Sequence, residues 1–194
     1  MILTSTQKAV VLLDAFEKLE YKKKSQLLGA LSSPEKLFTL EKDDKRLYAR
    51  LEEVFPSVAA VLHKKNLAEE MINSAIKGAD GVITIYDEKY PENLKNTPVP
   101  PLALYYKGNA ELLNGDNRVA IVGSRKTMSL YYAEAERVSK ELSEAGVTVV
   151  TGIADGGDDA AIKGAIKSGR IISVFAGGLN CGYGQYKSAL VNEI

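Results

Sequence analysis

Apolar positions along the first part of the chain recur at helical spacing. Val10, Leu13, Phe16 and Leu19 fall every three residues, and Thr4, Ser5 or Thr6 can cap the helix they predict. Leu27, Leu28 and Leu31 mark a second short helix that stops near Ser32-Ser33-Pro34, and Pro34 suits the first turn of the next segment. Leu47, Leu51 and Val54 outline another helix, ended before Pro56. Val58, Val61 and Leu62 suit a short one, and Leu67, Met71, Ile72 and Ile76 form the last, with Gly78 or Gly81 as its stop. Short helices parted by brief breaks predict a small all-helical domain over residues 1–80.

At Gly81 the period changes. Val82-Ile83-Thr84-Ile85 is short and β-branched, which predicts a strand. Tyr90-Pro91 and Thr97-Pro98-Val99-Pro100-Pro101 then punctuate a rigid connector, because proline fixes its own φ and holds the preceding residue extended. A strand from Leu102 to Tyr106 follows, closed by Lys107-Gly108-Asn109.

From Arg118 onward a strand, a glycine turn and a helix repeat. Val119 to Val122 breaks at Gly123-Ser124-Arg125, Val147 to Val150 breaks at Thr151-Gly152, and Ile171 to Phe175 breaks at Gly177-Gly178. The helix after Arg125 sets Ala133, Val138, Leu142 and Ala145 on one face, opposite Glu134, Glu136, Arg137, Lys140 and Glu141, and Gly146 ends it. Asp158 or Asp159 can cap the next helix, which carries Ala161, Ile162, Ala165 and Ile166 and stops at Gly169. A final helix is expected from Tyr183 to Ile194. This alternation predicts an α/β fold, with a Rossmann-like parallel sheet over residues 81–194 preceded by the small helical domain. In such sheets ligands bind beyond the carboxyl ends of the strands, where all three glycine turns fall.

Composition narrows the function classes. The 194 residues carry 25 basic and 25 acidic side chains, so no whole-molecule field draws the chain to nucleic acid or to an anionic membrane, and any such binding must come from a local patch. The basic runs Lys22-Lys23-Lys24 and Lys64-Lys65 read as solvated surface charge or, alternatively, as contacts to nucleic-acid phosphates, a reading that the nearby Glu41, Asp43 and Asp44 weaken. One cysteine, Cys181, excludes an intrachain disulfide and is expected as a reduced thiol, and with one histidine, His63, it argues against a zinc site. No apolar run reaches the ~20 residues of a membrane span, and the N-terminus lacks a signal peptide, so a cytoplasmic location is expected. No nucleophile–base pair is evident, since any such arrangement would have to recruit His63 from the helical half. The chain is therefore expected to bind rather than catalyse, and to need no metal or other cofactor.

Gly123-Ser124-Arg125-Lys126-Thr127 carries the clearest chemistry. A strand-to-helix turn offers backbone N–H groups and the positive end of a helix dipole, and phosphate is the usual guest. Two hydroxyls supplement it, and so do a guanidinium able to grip phosphate bidentately and an ammonium. The loop is neither the dinucleotide fingerprint G-x-G-x-x-G nor a Walker A loop. In the second turn, Thr151 to Asp159, the acids Asp155, Asp158 and Asp159 either cap the helix or accept hydrogen bonds from a ribose or base. The third turn is either a sharp corner or part of a groove floor. The expected phosphate- or nucleic-acid-binding set is Gly123, Ser124, Arg125, Lys126, Thr127, Gly152, Lys163, Gly177 and Gly178.

From Tyr90 onward the chain resembles the DNA-processing protein A family (DprA, also called Smf). Tyr90-Pro91-Glu92-Asn93-Leu94, Pro100-Pro101 and Leu104-Tyr105-Tyr106-Lys107-Gly108-Asn109 are similar to the family's lead-in. Val119-Ala120-Ile121-Val122-Gly123-Ser124-Arg125 resembles its phosphate-binding strand and turn. Val149 to Ala154, with Gly157-Asp158 and Ala160-Ala161, resembles its second turn and helix, and Val174, Gly178, Leu179, Asn180 and Tyr183 fit the third. The helical first half fits the small helix-hairpin or SAM-like domain that many members carry in front. The resemblance implies a recombination mediator that binds single-stranded DNA, loads a RecA-type recombinase during natural transformation, contacts phosphates through Gly123, Ser124 and Arg125, and can dimerise. Three positions depart from the family's pattern: Ile162 in place of histidine, Gly157 in place of isoleucine, and Gly184 in place of the proline after Tyr183. The family's sheet runs on beyond the position of Ile194, so the parallel sheet is expected to be incomplete at its C-terminus. Its open edge is expected to be covered by another chain or by the strands at Val82–Ile85 and Leu102–Tyr106. A nucleotide-binding or nucleotide-hydrolysing Rossmann enzyme of the phosphoribohydrolase type, working through Asp155, Asp158 and Asp159, is the alternative, although that family's Pro-Gly-Gly-x-Gly-Thr turn is absent. A protein-interaction module whose groove no longer takes DNA is the third reading.

Overall fold

The structure, a computed structural model, describes residues 1–115, 117–180 and 193–194. It divides into two compact units, Met1–Lys107 and Gly108–Ile194.

The first unit is built around α1 (Ser5–Asp14). Thr4 and Gln7 close a reciprocal capping box at its start, each side chain taking the other's backbone N–H. Ala9 to Leu13 are apolar on every side of the helix and fully buried, as expected of a helix wrapped by others rather than lying on a surface. Around it lie α2 (Tyr21–Ala30), a 3-10 turn at Pro34–Phe38, α3 (Leu40–Asp43), α4 (Lys45–Val54), α5 (Pro56–Leu62) and α6 (Lys65–Ala75). Leu27, Leu37, Leu51 and Val58 complete the core. The third residue of the predicted surface lysine run, Lys24, is instead buried and donates from Nζ to the carbonyl oxygen of Asp14 at 2.7 Å.

β1 (Gly81–Thr84) and β2 (Ala103–Tyr106) pair antiparallel, Gly81 opposite Tyr106 and Thr84 opposite Ala103, with the short α7 (Glu92–Lys95) between them. Val82, Leu102 and Ala103 enter the same core as α1. The Tyr105 hydroxyl donates to Asp14 Oδ2 at 3.0 Å. Burial raises the pKa of both groups, and their mutual bond lowers that of Asp14 while raising that of Tyr105. Tyr90 donates to the carbonyl of Pro101 at 2.7 Å and so fixes the proline connector to this unit. The structural division thus falls at Lys107, later than the change of pattern near residue 80, because the strands β1 and β2 supply apolar surface to the helical core.

The second unit is the Rossmann-like half. Strands β3 (Arg118–Ala120), β4 (Thr148–Thr151) and β5 (Ile171–Ser173) form a parallel sheet in the order β3-β4-β5, Val119 level with Val149 and Val150 with Ile172. α8 (Ser129–Glu144) and α9 (Gly157–Ala165) make the crossovers and pack on each other and on β4. β1 and β2 do not join this sheet; they pair with each other as a separate two-stranded sheet, so of the two covers expected for its edge, pairing with these strands is not found.

The face of α8 that meets α9 differs from the predicted one. Ser139 and Ser143 are buried, whereas Ala133 and Ala145 are exposed. The two helices approach so closely that a Cβ on Gly164 of α9 would lie 2.3 Å from the carbonyl oxygen of Glu136 and 2.8 Å from Ser139 Cβ. Ser139 Oγ donates to the carbonyl of Ala161 at 2.5 Å. Small residues set this spacing; of the predicted stripe Leu142 packs against the core of this unit, while the closest approach to α9 is made at Ser139, which the apolar pattern does not mark. The helix predicted over residues 183–194 lies outside the described residues except for its last two.

Candidate nucleic-acid interface

The loop after β3 is longer than the strand-to-helix turn expected from sequence. β3 ends at Ala120 and α8 begins only at Ser129, after Met128 with no side-chain cap. Gly123, Ser124 and Arg125 therefore do not sit on the N-terminus of their own following helix. They lean on that of α9. The N–H of Gly157 donates to the carbonyl of Ser124 at 3.1 Å, and the backbones of Gly123 and Gly157 touch: a Cβ on Gly157 would lie 2.5 Å from Gly123 Cα. Gly156, at φ 79°, is needed twice over, for its left-handed backbone and because a Cβ there would meet the Ser124 carbonyl oxygen at 2.1 Å. The isoleucine expected from the family pattern at position 157 has no room at this separation.

Within the loop both hydroxyls are used internally. Thr127 Oγ1 donates to the Ser124 carbonyl at 2.6 Å, and Ser124 Oγ accepts from the Lys126 N–H at 3.2 Å. The expected set of four side chains on phosphate thus narrows to two, Arg125 and Lys126, both exposed. The internal bonds hold the backbone that carries them, so the cations are presented from a fixed loop.

The second turn also turns inward. Asp158, buried, accepts the N–H of Ala154 at 3.2 Å, and its Oδ2 lies where a side chain on Gly152 would have to go, 2.4 Å from an ideal Cβ. The absence of a side chain at Gly152 thus leaves room for a carboxylate of the chain itself. Gly156 is the N-cap of α9 and no side chain caps it, so neither Asp158 nor Asp159 makes the predicted cap, and Asp158 bonds across the turn to Ala154 instead. Asp159, also buried, accepts from the Tyr132 hydroxyl at 2.5 Å and pairs with Lys163 at 3.4 Å. Lys163 lies 5.2 Å from the centre of the Tyr132 ring. Burial, then the bond to Asp159, push the Tyr132 pKa up, and Lys163 opposes the shift. Lys163, expected on phosphate, is engaged with Asp159 instead.

The third turn adjoins the second. Ser173 Oγ donates to the carbonyl of Gly152 at 3.0 Å, and the Val174 N–H to that of Thr151 at 2.8 Å. Gly177 and Gly178 follow in a bend, Gly178 at φ 79°. Nothing in the spacing of residues marks Tyr132, which follows no glycine turn and reaches Asp159 from a different helix. His63, in the first unit, is 2.9 Å from the Tyr48 hydroxyl and 3.3 Å from Glu52 through its Nε2, away from all three turns in sequence and in a different compact unit. Among the described residues no group of three or more His, Cys, Asp or Glu side chains is arranged to hold a metal ion, and no helix is long and apolar enough to cross a membrane.

Comparison with known proteins agrees with the geometry. Residues 81–194 match the family described as DNA recombination-mediator protein A. The chain is similar to the DNA processing protein DprA of Bacillus subtilis (strain 168), 31% identical over 153 residues, which are 77% of this chain and 48% of that protein. It is 35% identical over 112 residues to the DNA processing protein DprA of Streptococcus pneumoniae, covering 57% of this chain and 39% of the other. The chain thus spans less than half the length of these relatives. An X-ray structure of DNA processing protein A from Streptococcus pneumoniae shares the fold, with a TM-score of 0.69 at 22% identity over 99% of this chain and 64% of that one.

Proposed function

The chain belongs to the DNA recombination-mediator protein A family, and from that premise we propose that it binds the backbone of single-stranded DNA through Arg125 and Lys126. The observation that carries this reading is the loop itself. Two exposed cations stand on a backbone fixed by Thr127, Ser124 and the start of α9. Charge on a fixed loop grips phosphate without reading bases, so binding is independent of sequence and falls steeply with salt. In this role the protein acts by binding and not by catalysis, in the cytoplasm, and serves recombination by handing covered single strands to a RecA-type recombinase. A second copy of the chain is the further partner in this proposal. The alternative nucleotide-hydrolysing reading loses support because Asp158 and Asp159 are buried and already committed to Ala154, Tyr132 and Lys163.

Fluorescence anisotropy with a labelled oligothymidylate at two salt concentrations tests the proposal. Arg125→Ala is expected to weaken binding and to lower the slope of log K against log salt by about 1, the value for one lost phosphate contact. Equal affinity and equal slope in wild type and variant would remove the loop from the interface.

A further inference from the structure

The first unit also brings together polar groups that the chain itself does not use. We propose that the cleft between α2, the turn after β1 and the end of α7 binds a nucleotide, its base laid on Tyr21 and Tyr86 and its phosphate on Lys95. This site goes beyond the loop reading above and stands without it, since every residue that lines the cleft belongs to Met1–Lys107.

Tyr21, Ser25 and Leu28 stand at helical spacing on one face of α2. Ile85 and Tyr86 line the same cleft from the turn that ends β1. Asp87 holds that turn: its carboxylate accepts from the Thr84 N–H at 2.6 Å and from the Thr84 hydroxyl at 2.8 Å. Leu102 adds to the lining beside Pro101, whose carbonyl takes the Tyr90 hydroxyl, and Lys95 is the last residue of α7. Leu28 and Leu102 are buried, and Tyr21 and Ile85 pack against the core of the unit, so the apolar part of the lining is fixed. The cavity measures about 360 Å³, at the lower end of the ~300–1,000 Å³ of small-molecule sites. That limits the occupant to one small ring and its substituent.

Among the described residues, the hydroxyls of Tyr21, Ser25 and Tyr86 and the Lys95 ammonium make no hydrogen bond or ion pair within the chain, and no carboxylate lines the cleft. Tyr86 is 49% exposed, so its ring is open to a ligand. Burial, then the neighbouring Tyr21, raise the Tyr86 pKa, so the phenol stays a neutral donor near pH 7. A ligand that satisfies this set needs a flat ring, acceptors on the edge of the ring and one anion. A nucleotide has all three. Stacking on an aromatic side chain suits any base, because every base has a π-face, and lysine takes phosphate as a point charge. A peptide matches less well, because its backbone brings an N–H donor with nearly every carbonyl to a cleft already rich in donors.

The test uses the full chain with two probes, an oligothymidylate carrying iododeoxyuridine and free thymidine monophosphate. Irradiation links the iodinated base to an aromatic ring it stacks on, and peptide mass spectrometry is expected to place the adduct on Tyr86 or Tyr21. Tyr86→Ala is expected to weaken binding about five- to tenfold, the lower end of one lost base–aromatic stack, and Tyr86→Phe to keep it. Lys95→Ala is expected to lower the slope of log K against log salt by about 0.7, the value for one phosphate of a single strand. Both side chains are exposed, so the variants are expected to fold. An adduct on Tyr86 or Tyr21 makes the occupant a base of a single strand; binding of thymidine monophosphate that Tyr86→Ala weakens, with no such adduct, makes it a free nucleotide. An adduct found only in the loop after β3 would overturn the inference and leave the loop reading intact. An adduct on Tyr86 in a chain whose affinity Arg125→Ala does not change would keep the inference and remove the loop. Tyr86-dependent binding of N-acetylphenylalanine and of neither nucleotide probe would give the cleft to a peptide and overturn the inference. Absence of an adduct, with affinities that Tyr86→Ala and Lys95→Ala leave unchanged, would overturn it too.

Discussion

Around α1, five consecutive side chains from Ala9 to Leu13 have no exposed surface, and leucines and valines from four other helices close over them. α9 buries Ala161, Ile162 and Ala165 in a smaller core with Val149 and Ile171 of the sheet, and meets α8 through Gly164 against Glu136 and Ser139. The first unit gains stability by removing large apolar area from water. The second brings backbones together, and it leaves Val119, Val122, Leu130 and Tyr131 exposed. The α8–α9 contact of that unit, made at Gly164 and Ser139, has little slack: it loses little when a methyl group is removed and much when one is added. The same closeness joins the first and second glycine turns, so the packing style of the second unit and the shape of its binding loop have one cause.

Truncation should separate the two units most sharply. Leu12 is fully buried in α1, and Leu12→Ala is expected to cost about 2–5 kcal/mol, the lost transfer energy plus the cavity. Hydrogen exchange should show protection falling in α1 while the amides of α9 keep theirs. Equal loss in both helices would mean that the chain unfolds as one cooperative body, and the contrast would then hold for packing but not for stability.

Addition should separate them in the opposite direction. Gly164→Ala places a methyl against the Glu136 carbonyl and Ser139 and is expected to destabilise the second unit by about 1–3 kcal/mol through overpacking. The matched change in the first unit is Gly29→Ala, in α2, where nothing lies within 4 Å of the new Cβ; there the gain in helix propensity should stabilise by about 0.5–1 kcal/mol. Urea midpoints of the two variants, moving apart from wild type, would confirm the pair. A neutral Gly164→Ala would show that α8 and α9 can separate cheaply.

Legibility in the sequence followed the same divide. The helices of the first unit were readable because long apolar side chains recur at 3.6-residue spacing, and the Thr4 cap and the breaks at Pro34 and Pro56 fall where the structure has them. The three parallel strands and their glycine turns were readable from β-branched runs ended by glycine. The packing face of α8 is legible only at Leu142, because the buried Ser139 and Ser143 carry no hydrophobic signal. The start of α8 was placed too early because nothing local marks Met128 as a boundary. Of the site residues, Arg125 and Lys126 are exposed on the loop after β3, which is where the spacing places them. The Lys163–Asp159 pair, four residues apart on α9, was open to reading from the sequence. Ser124 and Thr127 bond within their own loop and Gly152 makes room for Asp158, which spacing does not show. Lys24 shows the same limit in the first unit, where a lysine in a basic run turned out to be a buried donor to Asp14.

An effect of similar small size, visible only at high pH, concerns the seam by which the connector belongs to the first unit. Tyr90 is buried and donates to the Pro101 carbonyl; burial foremost, then the neighbouring Tyr21, push its pKa up to about 12. A tyrosine whose pKa is raised by folding stabilises the native state fully below its unfolded value near 10, and that contribution is lost as pH rises from about 10 to about 12. Tyr105, shifted the same way, adds to the slope. Urea midpoints measured from pH 9 to 11.5 should therefore fall, and Tyr90→Phe should fall less steeply, by an amount worth about 1 kcal/mol once solvent screening is allowed for. The variant starts lower at pH 9, because the Pro101 carbonyl loses its donor, and the two curves converge as the wild-type hydroxyl ionises. Parallel curves would mean that Tyr90 ionises without strain, and that the proline connector is held to the helical core by the β1–β2 ladder alone.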